Sequence, residues 1–146
     1  MTSVLLRSLE HVHGHLGWLS ALALCHPAVL LRRRRRSVLL AAAAASALVT
    51  VCGCLGALSY PSYRVAVKPG LFAASAWLGM AFERKEHLGV AVVVLSWVGL
   101  VAHWAAVRER GTNDLWRVAV IAYTSAAVLA ILSASLGTAV AVHGTF

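Results

Sequence analysis

Acidic residues are scarce in this 146-residue chain: five Asp and Glu stand against thirteen Lys and Arg, and charged residues make up only 12% of the whole. A soluble domain of ordinary composition is about one quarter charged, so a soluble globule is excluded. The three cysteines, Cys25, Cys52 and Cys54, lie in apolar segments and are odd in number, which argues against a disulfide framework. Cys52 and Cys54 are one residue apart, so there is no Cys-x-x-Cys pair. A Gly-rich phosphate loop and a nucleophile elbow are also missing. The apolar blocks hold no Asp or Glu of the kind a proton or cation relay uses, which weighs against a transporter.

What the chain has in quantity is apolar surface. Hydrophobic residues make up 60% of it, and the mean hydropathy is +0.80. They gather into blocks of about 17 to 28 residues, the length a helix needs to cross a hydrocarbon layer of about 30 Å. The expected fold is an all-α membrane protein: four transmembrane helices in a bundle, one domain over residues 1–146. The spans are placed at about 15–31, 37–59, 87–107 and 115–142. A polar leader, Met1 to Gly14, precedes the first. It is read as retained, because the charge after the first block far exceeds the charge before it and Leu24 is a poor cleavage residue.

The second block carries Ala41 to Ala45 and Cys52, Gly53, Cys54 and Gly56, small residues that let helix backbones approach closely in lipid. Tyr60, Pro61, Tyr63, Lys68 and Pro69 then read as an interfacial loop. Gly70 to Phe82 is apolar but too short to span, and it ends in Glu83, Arg84, Lys85, Glu86 and His87. An interfacial or re-entrant helix over about 70–86 is expected before the third span.

The formal charge of +8 does not imply nucleic acid, because the basic run Arg32 to Arg36 sits in a very short loop between apolar blocks with no interleaved aromatics. Such a run marks the cytoplasmic side. With it inside, the inner loops also hold Arg108, Arg110 and Arg117, and the outer side holds Arg7, Arg64, Lys68, Arg84 and Lys85. Both termini are therefore expected outside, in a plasma membrane. Much Arg and Ala beside little Lys points to a bacterial inner membrane.

Seven histidines are the unusual feature. His15 and His87 open spans 1 and 3, and His26 and His103 come near the ends of the same spans. His15-Leu16-Gly17 matches His87-Leu88-Gly89, a faint internal repeat that suits two hairpins related by an axis along the membrane normal. Two imidazoles facing each other across a bundle form the axial pair of a b-type haem, with Gly14, Gly17 and Gly89 leaving room for the ring. The step from His15 to His26 turns about 1100°, so both face one seam; that from His87 to His103 turns about 1600°, so they face roughly opposite ways. One haem b on His15 and His87 is thus favoured over two. The same end offers a metal set for zinc or iron: His11 with His15, and Glu83 with His87, are i, i+4 pairs.

Four spans with histidines at two depths resemble the membrane b-type cytochromes, such as the cytochrome b561 group and the membrane-anchor subunits of respiratory dehydrogenases. That resemblance rests on His15, His26, His87 and His103. It implies electron transfer to a quinone or partner subunit. A cofactor-free scaffold or accessory subunit, self-associating or part of a larger complex, is the expectation if no ligand binds, and a catalytic centre is not expected.

Overall fold

In the computed structural model, residues 3–34, 38–109 and 113–143 are described, the side chains of residues 3–7 and 143 excepted. Arg35, Arg36, Arg110 and the expected start of the second span at Ser37 lie outside the described residues. The chain forms α1 (Ser3–Arg32), α2 (Leu39–Ala66), α3 (Lys68–Ala74), α4 (Ala76–Arg108) and α5 (Asn113–His143), with no strand among the described residues. Four of these helices are long and apolar enough to cross a membrane. Their outward faces carry Leu22, Leu40, Leu58, Val90 and Ile121, all largely exposed, as lipid-facing positions are.

Two boundaries differ from the sequence reading. The expected interfacial helix over 70–86 does not form as a unit. The chain breaks at Ser75, which is extended (φ −166°, ψ 131°) and accepts from the Trp77 backbone N–H, and residues 76–86 then run without interruption into the third long helix. Charge does not stop a helix: Glu, Arg and Lys are good helix formers, and no Gly or Pro stands between Phe82 and His87 to break the ladder. Similarly, Tyr60 to Tyr63 is not a loop, because α2 continues through Pro61 to Ala66. Proline's fixed φ is compatible with a helix, and the lost hydrogen bond is offset by the apolar contacts the extension makes.

The four long helices pack as a ring. α1 lies against α2 and α5, and α4 against α5 and α2, so α1 and α4 lie across from each other with little direct contact. Small residues set the spacing. Gly99 on α4 faces the Tyr123 ring, and a Cβ there would lie 2.7 Å from it. Polar ties fix the register: Tyr123 donates to the Ala42 carbonyl (3.1 Å), Ser46 to the Ser96 carbonyl (3.1 Å), and Trp116 Nε1 to the Leu31 carbonyl (2.9 Å). Interhelical hydrogen bonds of this kind are the glue available where lipid removes the hydrophobic drive between helices.

The apolar interior is divided in two. The larger cluster includes Leu24, Ala45, Val49, Val92, Ala126 and Ala130. The smaller joins Val67, Leu71, Leu78, Phe82 and Val140, with Tyr63 stacked on Phe82 at a 5.5 Å centroid separation. α3 closes this second cluster over one end of the ring, its Phe72 ring fitting against Gly79. Lys68 pairs with Glu83 at 2.6 Å and ties the start of α3 to α4. Arg32, Arg33, Arg34 and Arg108 mark the opposite end, where Arg34 donates to Asn113 at 2.9 Å.

Candidate functional site

Between the two apolar clusters lies a layer of ionisable side chains. Its position follows from the chain itself: Cys52 falls between Val49 and Tyr63 on α2, Lys85 and Glu86 between Phe82 and Val92 on α4, and Gly137 between Ala130 and Val140 on α5. α1 contributes Glu10 and His13, one turn apart and so on one face.

His13 is the best-defined member. Its Nδ1 lies 3.2 Å from the Cys52 carbonyl, to which a protonated Nδ1 donates, and 3.7 Å from the Cys52 thiol. The thiol in turn points to the His13 carbonyl at 3.8 Å. Gly56, four residues further along α2, makes this approach possible, since a Cβ there would stand 2.9 Å from His13 Cε1. Glycine is used here for close approach of an imidazole to a helix backbone.

Lys85 threads between helices. Its stem crosses α5 at Gly137, where a Cβ would lie 3.4 Å from Lys85 Cδ and 3.7 Å from Nζ, and its ammonium is 5.6 Å from the Phe82 ring centroid. The titratable groups near it are Glu86 on its own helix, Cys52 on α2, and Glu10 and His13 on α1. Tyr63 is hydrogen-bonded to Glu10, and Tyr60 stands beside Glu86. From α5, Ser133 reaches the layer, its hydroxyl donating to the Lys85 carbonyl at 3.4 Å. Lys85 precedes Arg108 by 23 residues, about 34 Å along a helix, which is close to one hydrocarbon thickness.

The histidines chosen from sequence are arranged differently. His15 and His87 are both exposed, and His87 Nδ1 donates to the Glu83 carbonyl of its own helix at 2.8 Å. They belong to helices that have little direct contact, so the fold does not set them up as an axial pair. His26 is exposed whereas His103 is fully buried, edge-on to Trp116 at 5.2 Å. The two halves of the suggested repeat thus differ in environment. His11 is exposed, and the four-ligand set His11, His15, Glu83 and His87 is not assembled: among the described residues no group of three or more His, Cys, Asp or Glu is placed to hold a metal ion.

Sequence reasoning missed Glu10, His13, Cys52, Lys85 and Glu86 because it drew the first span to begin at residue 15 and the third at 87. The signal was present in Gly56 and Gly137, small residues facing long polar side chains, but only packing reveals what each one faces. No family model matches this chain, and no curated protein or solved structure matches it either.

Proposed function

We propose that this chain is a cofactor-free, multi-pass membrane protein that takes up and releases protons at the Glu10, His13, Cys52, Lys85 and Glu86 layer, serving as a proton-responsive accessory subunit. The observation that carries the reading is that Lys85 of α4 lies against Gly137 of α5 while, in the same layer, His13 of α1 sits 3.2 Å from the Cys52 carbonyl of α2, with Glu10, Cys52 and His13 within electrostatic reach of the ammonium. Ionisable groups packed between apolar helices are costly to desolvate and tend to mark a functional site. A cation coupled to two carboxylates and an imidazole makes the protonation of each depend on the others.

The four long helices form a bundle, and by the excess of arginine in the short α1–α2 loop the arginine end faces the cytoplasm. This places α3 and the ionisable layer at the outer boundary of a plasma membrane, with Lys68 and Glu83 on its aqueous rim. Exposed His15 and His87 leave haem or metal binding without a preformed site.

The test is a carboxyl titration of the full chain in liposomes by infrared spectroscopy, with Glu10→Gln and Glu86→Gln to assign the bands. In Lys85→Met, both carboxyl transitions should move together to more alkaline pH, as loss of a neighbouring cation requires. Unchanged transitions would refute the reading and leave the scaffold role, with no proton-linked site.

A further inference from the structure

In the larger half of the interior, three side chains have buried polar atoms with no close oxygen or nitrogen partner: the Ser20 hydroxyl, which has only the Cys52 thiol beside it, the hydroxyl of half-buried Thr124, and both ring nitrogens of His103. His103 is 0% exposed and Ser20 4%. An unpaired buried hydroxyl or imidazole forfeits its solvation, so such groups are normally met by protein or by internal water. Water, which both donates and accepts, is the small molecule whose chemistry would satisfy all three.

These sites are spread along the length of the assembly. Ser20 lies beside Cys52, which touches His13 in the ionisable layer. Thr124 adjoins Tyr123, and His103 is five residues before Arg108, about 8 Å from the arginine end of α4. Between Ser20 and His103 stands the hydroxyl pair Ser46 and Tyr123, 3.0 Å apart. Tyr123 has one proton for two acceptors, Ala42 O and Ser46 Oγ, and Ser46 has one for Ser96 O and the Tyr123 oxygen. Such a pair has alternative donor arrangements that reorient without breaking the fold.

Resting on the proton-exchange reading, we infer that internal water joins Ser20, the Ser46–Tyr123 pair, Thr124 and His103 into a file that carries protons between the ionisable layer and the arginine end. At each hydroxyl or water, one O–H bond forms as a proton arrives and the other breaks as one leaves. His103 accepts at one ring nitrogen and releases from the other. One proton enters and one exits, with no net change in bonding along the file.

The experiment is water-edited solid-state NMR on the full chain in liposomes, paired with passive proton flux under a potassium diffusion potential. Water polarisation should reach Ser20, Thr124 and His103 several-fold faster than Leu24 and Ala126, which are buried among apolar groups. Flux should exceed that of protein-free liposomes and fall at least tenfold in His103→Phe and in Thr124→Val. Transfer to the three sites no faster than to Leu24 overturns the file, whatever the variants do. Wet sites with flux no greater than protein-free liposomes overturn its proton-carrying role. The titration test of Lys85→Met is independent: coupled carboxyls with dry inner sites remove this inference alone, whereas wet inner sites with uncoupled carboxyls remove the reading beneath it.

Discussion

Gly99→Ala is a severe test of the helix packing. A methyl group at residue 99 would sit 2.7, 2.9 and 3.3 Å from three ring atoms of Tyr123. The ring cannot swing clear cheaply, because Tyr123 is 0% exposed and its hydroxyl is held by Ser46 and the Ala42 carbonyl. Overpacking of this kind costs about 1–3 kcal/mol, and disturbing two interhelical hydrogen bonds adds about 0.6 kcal/mol each. The sum, about 2–4 kcal/mol, is read as lost stability in SDS-induced unfolding followed by tryptophan fluorescence. Gly89→Ala is the control, since nothing lies within 4 Å of its added methyl, and it should be neutral or slightly stabilising. In a Tyr123→Ala background the Gly99→Ala penalty should disappear, giving a coupling of about 2–4 kcal/mol. Equal effects of Gly99→Ala and Gly89→Ala would refute the α4–α5 packing described above.

Gly56→Ala should leave the fold intact but push the His13 ring off the Cys52 carbonyl, seen as a shift of the His13 Nδ1 resonance; an unshifted resonance would show that Gly56 is not what admits the imidazole. Glu83 raises the Lys68 pKa above its ordinary value by hydrogen bond and charge, so the tie between α3 and α4 contributes at pH values below that of a free lysine and is lost as pH rises through the raised value. Glu83→Gln should accordingly lower the melting temperature slightly at neutral pH, in a salt-sensitive way, and the difference from wild type should vanish under strongly alkaline conditions. After haem-replete expression, the dithionite-reduced absorption spectrum should show no haem bands that depend on His15 or His87, and bands abolished by His15→Ala or His87→Ala would establish an axial pair that the exposed rings do not suggest.

The spans were legible because lipid imposes a simple rule: enough consecutive apolar residues, bounded by charge. The number and order of the long helices follow from it. Their ends do not, because Pro61 and the Glu83 to His87 cluster look like punctuation in one dimension yet remain compatible with helical backbone. That error displaced the site. Assigning residues 83–86 to an interfacial helix and starting the third span at residue 87 hid the fact that Lys85 lies against Gly137 of α5 while Arg84 and His87 are exposed. The histidine pattern could not fix rotation: similar placement along two helices says nothing about which way a ring faces, and both His15 and His87 are exposed. The position of His13 was not legible from α1 at all, because Gly56 on another helix determines it.

Proton exchange at this layer requires Lys85 to be electrostatically coupled to Glu10, His13 and Glu86. Infrared carboxyl titration of wild type, Lys85→Met and Lys85→Arg in liposomes measures that coupling. Both carboxyl transitions should move to more alkaline pH in Lys85→Met and return towards wild type in Lys85→Arg. Transitions that coincide in all three proteins, each still folded by tryptophan fluorescence, would contradict that coupling.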